Sequence, residues 1–428
     1  VKHATVPEVL SYWPIARKPD GTEKGGRAWV SKHMIGGAAQ KIQFKLDIPP
    51  DGESTLKDSS PYELAFNFND IDTHFMKTMP PVRGAKGYAL LTQRDLDIVI
   101  KEGTLIGMPV RNVKGKLSNL NSRTKSYGDF TFDLEGEIQE ILTLINNPPL
   151  KIPEKLKLDI ERFNGKASIT ANIGTPLYIN ENNSKTKYDV TANLSNFSID
   201  NLLNGEGIKK AQATMHVTPD FVTAEGKARL NGVWADFVWN EDLIGGRNNP
   251  DLQTTTINAS GVTDQNGLAA LNIEASQYLD GNIEFSTVLK GRNVAFNNID
   301  FKADATQSKL TINQLGWSKP RETPATLEGK VKLSENGLHL SPLIIKGEQI
   351  DASGEFQWVG ENIKGRFIAQ KLGENAFTAD LNLPSDDIAT VDIIASKLDL
   401  RPFLNGIDSI DPEFLADLES IEEILEES

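Results

Sequence analysis

The chain contains no cysteine, so neither a disulfide framework nor thiol chemistry is available to it, a composition compatible with an oxidising compartment. Histidine is scarce. His3, His33, His74, His216 and His339 are the only five, and none stands at a metal-like spacing from another histidine or from an acid on a helix. No apolar run approaches the roughly 18 residues that a membrane-spanning helix needs. A G-x-S-x-G elbow, a P-loop and a G-x-G-x-x-G turn are all missing. Cations are also in deficit: 45 Lys and Arg stand against 59 Asp and Glu, a formal charge of -14. That balance argues against nucleic acid as a partner, because phosphate neutralisation needs clustered Lys and Arg, and against broad docking onto anionic lipid. The expectation from these absences is a protein that is not an enzyme, with no catalytic residue, no metal site and no cofactor.

What is present is strand. Apolar residues make up 39% of the 428 and the mean hydropathy is -0.34, values of a soluble folded chain rather than a disordered one. Residues 188–239 show the pattern most cleanly. Tyr188, Val190, Ala192 and Leu194 alternate with polar residues, as do Ala211, Ala213, Met215 and Val217, then Val222, Ala224, Gly226, Ala228 and Leu230. Period two means strands with one dry and one wet face. Thr218-Pro219-Asp220 suits a type I turn, and Asn231-Gly232 suits a type I′ turn that folds the chain straight back into 233–239. Ser198 to Leu203, stopped by Asn204-Gly205, predicts a short crossover helix inside this meander. Trp234 and Val238 make the last strand apolar on both sides.

The same texture extends over most of the chain. Helices are predicted at Pro7 to Tyr12 and Arg27 to Ile35, with a further short one at Asp70 to Met76. Ile42, Phe44, Leu46 and Ile48 alternate between them. Ile138, Ile141, Leu142 and Ile145 stand at helical spacing, so 137–146 reads as a crossover helix closed by Pro148-Pro149. Strands are expected to resume at Leu156, Leu158 and Ile160. A direct repeat supports a modular array: 195–205 and 396–406 agree in their apolar positions and in their Leu-Asn-Gly ends, an offset of 201 residues between Ser195 and Ser396. Four segments follow: a mixed part at 1–80, a β-groove at 81–240, its continuation at 241–406 and an acidic helix or linker at 407–428. In the last, Asp411-Pro412-Glu413 is a helix start and Phe414, Leu415, Leu418, Ile421 and Leu425 form a stripe. The chain opens on Val1 rather than Met, so a preceding piece carrying a signal or membrane anchor is expected.

The polar groups with chemical potential have plain explanations. Asp70 with Asp72 and Asp95 with Asp97 place carboxylates together, as a metal or glycosidase site would, but acids outnumber bases throughout and solvated faces account for them. Trp234 and Trp239 suit sugar stacking, and equally suit packing at the core or its rim.

A sheet with one apolar face must bury it against helices, a second sheet or something else. The helices here are too few and too short for so many strands. A sheet that curls on itself would leave an apolar trough, an aggregation hazard unless a ligand or partner fills it. Acyl chains fit such a trough, since they need apolar area and no specific polar partners. The lining candidates are Leu96, Ile98, Ile100, Phe130, Phe132, Leu134, Ile169, Val190, Leu194, Met215, Val217, Leu230, Ile283, Phe285, Phe301, Val331, Phe356, Phe377 and Leu381. The fold class is mostly β: an elongated, twisted antiparallel sheet forming an apolar groove, taco-like in section, with a few short crossover helices.

Several short stretches carry a resemblance. Tyr12-Trp13-Pro14, Arg27, Trp29-Val30 and Gly36-Gly37, the Pro81 to Tyr88 entry into strands, the Ala224 to Ala228 run, Asn231 to Trp234, and Val238-Trp239 together resemble the middle region of large AsmA-like envelope proteins of the YhdP type, relatives of TamB. The resemblance implies a long groove-shaped β-sheet with an apolar concave face, anchored in the inner membrane of a Gram-negative bacterium and reaching across the periplasm. It implies a bridge-like lipid-transfer protein, active in outer-membrane biogenesis, along which phospholipid acyl chains slide. The alternative is a structural or assembly scaffold of the envelope that binds protein partners.

Overall fold

The computed structural model describes residues 2–401 apart from 14, 16, 24, 47–61, 75–78, 121, 123, 149, 178–185, 204–205, 248, 250–251, 293–294, 336, 386–387 and 400. The expected acidic helix at 407–428, Ile48, the Asn204-Gly205 stop and, of the second repeat copy, residues 400 and 402–406 lie outside these residues. The chain falls into two compact units, Val1–Ala228 with Trp239–Asp251, and Arg229–Val238 with Leu252–Ser428.

In the first unit the order is β1 (His3–Thr5), α1 (Val6–Tyr12), α2 (Gly25–His33), β2 (Ala38–Leu46), β3 (Tyr62–Thr73), β4 (Val82–Thr92), β5 (Leu96–Leu105), β6 (Met108–Ser118), β7 (Tyr127–Glu137), α3 (Ile138–Ile145), α4 (Ile152–Leu156), β8 (Phe163–Pro176), β9 (Lys187–Leu203) and β10 (Glu206–Val217). The unit boundary falls within β11 (Phe221–Leu230) and β12 (Val233–Asp242). The second unit then holds β13 (Thr255–Thr263), α5 (Gln265–Ala270), β14 (Leu279–Asp280), β15 (Ile283–Arg292), β16 (Ala295–Asp304), β17 (Lys309–Ile312), β18 (Trp317–Lys319), β19 (Ala325–Ser334), β20 (Gly337–Gly347), β21 (Ile350–Val359), β22 (Asn362–Leu372), β23 (Asn375–Leu383) and β24 (Thr390–Lys397). Among the described residues strand accounts for 65% and helix for 12%, so the mostly-β reading holds and the described helices cannot cover the sheet. Twenty-one strands form one large antiparallel sheet that is not closed into a barrel; β14, β17 and β18 form a separate three-stranded sheet.

Pairing is antiparallel and sequential. In the first unit β2 to β10 each pair with the next strand, and in the second β13 pairs with β15, β15 with β16, β16 with β19, and β19 to β24 each with the next. Tight turns make this possible. Asn231 and Gly232 have φ of 49° and 96°, the two positive values of a type I′ turn, as their dipeptide predicts.

Three sequence expectations are corrected. Ser198 to Leu203 is not a helix: β9 runs unbroken to Leu203, with Ser198 opposite Asn164 and Ile199 opposite both Phe163 and Ile208. A six-residue helix is marginal by itself, and ladder partners on β8 for Ser198 and Ile199 and on β10 for Ile199 and Leu203 hold the segment extended instead. The helix expected at Asp70 to Met76 is instead the end of β3, where Asp70 takes a φ of 57° at an irregularity in the ladder; 75–78 lie outside the described residues. The strand expected at Leu156 to Ile160 is replaced by α4 and a single 3₁₀ turn at Ile160–Arg162, and β8 begins only at Phe163. Pro153 at the first turn of α4 suits a helix start and lacks the N–H that a ladder would need.

Two of the helices, α1 and α5, carry side-chain N-caps. Thr5 caps α1 in a reciprocal box, the Thr5 N–H donating to Glu8 Oε2 at 2.7 Å and the Glu8 N–H to Thr5 Oγ1 at 3.4 Å. Asp264 caps α5, accepting from the N–H groups of Asn266 and Gly267 at 3.0 and 2.9 Å. α3 buries Ile138, Ile141 and Leu144, spaced to share one face.

Candidate functional site

The antiparallel register turns the alternation of each strand into rows that cross the sheet. In the first unit one row runs Phe66, Ala89, Ile98, Gly115, Phe130, Ile173, Tyr188, each opposite the next. A second runs Leu64, Leu91, Leu96, Leu117, Gly128. Phe132, Ala171, Val190 and Val217 form part of a third, and Val110, Leu134, Ile169, Ala192 and Met215 a fourth. The second unit repeats the arrangement. Gly261, Phe285, Ala303, Leu327, Ile345, Ala352, Ala369, Phe377 and Ala395 make one row across nine strands. Thr287, Phe301, Gly329, Leu343, Gly354, Phe367, Ala379 and Ile393 make the next, and Leu289, Ile299, Val331, Leu340, Phe356, Gly365, Leu381 and Val391 the one beyond it. None of the residues in these rows is charged.

The opposite face is laced with cross-strand polar pairs. Lys86 meets Glu102 at 3.2 Å and Lys302 meets Glu328 at 2.9 Å, while Arg366 grips Asp380 through Nε at 2.6 Å and Nη2 at 2.9 Å. His216 and His339 sit against Asp189 and Glu355 at 2.9 and 2.8 Å, which gives both histidines structural partners. Asn112 Nδ2 and Thr170 Oγ1 donate to Asp133 at 2.7 and 2.9 Å and hold its carboxyl below the ordinary value. Exposed pairs of this kind add little stability and mainly fix register. The acidic residues singled out from the sequence belong here too: Asp72 accepts from Arg83 and from the Gly84 N–H, Asp95 from the Asn119 N–H, and Asp97 lies 3.8 Å from Lys116. Among the described residues no three His, Asp or Glu side chains are placed to hold a metal ion.

Among the described residues, the apolar face of each unit is roofed along one margin. In the first unit Val6 of α1 is buried against Ile71 and Ala85, with Leu10, Val30 and Met34 packed around them, and α3 lies over β7 and β8. In the second, Trp317 of the small sheet packs on Ile350, Ala352, Ala369, Leu372 and Phe377, and Leu279 packs on Ile283 and Ala305 with Leu268 of α5. Lys319 of the same small sheet is 1% exposed, its Nζ donating to the carbonyls of Thr323, Pro320 and Thr306 at 2.8, 3.0 and 3.4 Å; burial pushes its pKa down. Every roofing element covers the same ends of the strands it touches. Among the described residues the rows farther along the strands have no such cover, and their large side chains stay half-buried up to β23, while Val391 and Ile393 on β24 are exposed.

The nineteen lining candidates divide along that gradient. Leu96, Ile98, Ile100, Phe130, Phe132, Ile169, Val190, Met215 and Val217 are half-buried on the apolar face of the first unit, and Phe285, Phe301, Val331, Phe356 and Leu381 on that of the second. Leu230 is half-buried at the end of β11. Leu134, Leu194, Ile283 and Phe377 are buried: Ile283 and Phe377 lie in clusters under the roof, and Leu134 is 2% exposed. The sequence reading passed over the small roofing sheet, α5, and the mid-strand glycines of the floor. Gly115, Gly329 and Gly365 share the parity of the apolar residues around them, and that parity was a legible signal. Trp234 is on the other face of β12, 40% exposed, whereas Trp239 is half-buried.

Among the described residues no helix is long and apolar enough to cross a membrane. No curated protein and no solved structure matches the chain. A family model described as YhdP protein matches residues 8–412, nearly the whole length over which the ladders and their roofing elements run, and the chain belongs to the YhdP protein family.

Proposed function

We propose that this chain is a lipid-transfer module that carries phospholipid acyl chains along the apolar face of its sheet, between the inner and outer membranes of a bacterial envelope. The observation that carries the reading is the set of uncharged rows whose large side chains are half-buried and which, among the described residues, are roofed along one margin of each unit. Such a surface offers apolar area without convergent polar groups, which is what a methylene chain can use and what a polar substrate cannot. Left in water it would be an aggregation liability. Membership of the YhdP family supports a role related to envelope lipid transport. Periplasmic placement, with attachment to the inner membrane through a segment outside this chain, belongs to the same proposal, as does the absence of catalysis and of a cofactor.

The test is direct. The protein is purified under non-denaturing conditions, and native mass spectrometry and solvent extraction measure the phospholipid that travels with it. A substantial load supports the reading; a lipid-free preparation that also takes up no lipid from phospholipid vesicles sinks it.

A second reading, an envelope scaffold that binds protein partners, draws on β24. All eight of its residues are exposed, with Ile394 at 77%, and such a strand is a template for pairing with another chain. Crosslinking that recovers a stoichiometric protein partner through β24, and no lipid, favours it.

A further inference from the structure

Six phenylalanines of the floor face a glycine directly across the ladder: Phe68 opposite Gly87, Phe130 opposite Gly115, Phe285 opposite Gly261, Phe301 opposite Gly329, Phe356 opposite Gly365 and Phe367 opposite Gly354. In five of these pairs the ring lies over the glycine. A Cβ added to Gly329 would stand 2.7 Å from Phe301 Cζ and 2.9 Å from its Cε1; one added to Gly115 would stand 3.1 Å from Phe130 Cδ1; one at Gly261 would meet Phe285 at 3.0 Å, one at Gly87 would meet Phe68 at 2.6 Å, and one at Gly365 would collide with Phe356. Phe130 also reclines over Gly128 and Phe356 over Gly354, at 2.8 and 2.6 Å.

Backbone conformation does not demand glycine at Gly115 or Gly329, since neither has a positive φ. At both, the nearest atoms a Cβ would meet are side-chain atoms, the ring first. What the glycine supplies is room. An aromatic side chain in a strand stands roughly perpendicular to the sheet; here it lies down into the space where the opposite side chain would be, and remains half-buried. The pairing lends the glycine some sheet stability as well, but its geometric result is a floor of low relief.

We propose that these glycines are positioning residues for the lipid: by letting the rings recline they keep clear the space above the floor that an acyl chain occupies. The inference rests on the lipid-carrying reading. Its prediction is that Gly329→Ala, which raises Phe301, lowers the phospholipid load, by about fourfold for each methylene group lifted off the floor, while the melting temperature stays close to wild type, because Ala suits a strand at least as well as Gly. The double variant Gly329→Ala/Phe301→Ala, in which no ring is left to be lifted, carries more lipid than Gly329→Ala. Gly115→Ala and Gly115→Ala/Phe130→Ala make the same comparison in the first unit.

Load is measured by native mass spectrometry on full chains alongside thermal melts. A purely structural glycine would shift melting and leave the load per folded molecule alone. The inference is overturned if the folded Gly→Ala variants carry wild-type lipid, if the double variant stays depleted, or if both Gly→Ala variants fail to fold. A wild-type chain that carries no lipid is a different result: it removes the lipid-carrying reading itself.

Discussion

Two substitutions of the same kind, one on the open floor and one under the roof, separate a lipid passage from an ordinary core. Leu134 is 2% exposed, opposite Val110 and Ile169. Leu134→Asp forfeits about 1.5–3 kcal/mol of side-chain burial. It also leaves a carboxylate with no partner in a dry site, which costs several kcal/mol more or forces the group to take up a proton. The total is of the order of the whole stability of a typical domain, about 5–15 kcal/mol. Leu134→Asp is therefore expected to unfold the structure around β7.

Val190, opposite Ala171 and Val217, is half-buried, with no roofing element over it among the described residues. Val190→Asp loses about 1 kcal/mol, a fraction of a full valine burial, since its carboxylate can reach water. Once an acyl chain lies on the floor that water is gone, so the substitution acts on the lipid rather than on the fold. The expected result is a near-normal urea midpoint for Val190→Asp with a lipid load reduced at least about tenfold, corresponding to about 1.4 kcal/mol of charge desolvation. Urea titration followed by circular dichroism and lipid extraction of the same samples give both readouts. If Val190→Asp destabilises as severely as Leu134→Asp, the floor is closed core and the reasoning fails; it fails equally if the folded variant keeps its lipid.

Two further measurements probe the roof and the outer face. Lys319→Met leaves the carbonyls of Thr323, Pro320 and Thr306 without their donor and should lower stability by about 2 kcal/mol in urea titration, with an unchanged midpoint counting against that role. Asp133 is held below the ordinary 3.8 by the donors Asn112 and Thr170, so its stabilising contribution is complete above that pH and is lost as pH falls through its folded value; carbon-detected NMR should find its midpoint below that of a free Asp and moved back up in Asn112→Ala/Thr170→Val.

Much of this architecture is written locally. Leu96, Ile98 and Ile100 announce their shared face by spacing alone, Ile138 to Ile145 announce a helix, and Asn231-Gly232 announces a turn with two positive φ values. Ser198 to Leu203 misleads because its helical signal is weak and its fate is decided by Phe163 and Ile208, which sit in other strands. The division of the floor is harder to read: Phe132 and Leu134 differ by one step along β7, and only where α3 folds back decides that the second is buried and the first is not. The phenylalanine and glycine pairs are harder still, because Gly115 and Phe130 meet only once the β6–β7 register is set, with its irregularity between Arg111 and Lys114.

Sequential pairing has a consequence for how such a chain is made. Within each unit every strand of the large sheet has its partner a short loop or one small insertion away, so almost no pairing waits for a distant segment. Low contact order favours rapid folding, and structure built on near neighbours can grow from any formed hairpin. A chain delivered from its N-terminus could zip up strand by strand as it emerges, with the newest strand serving as the template for the next. The hazard at the growing edge is then brief and local, because that edge is the one about to be covered.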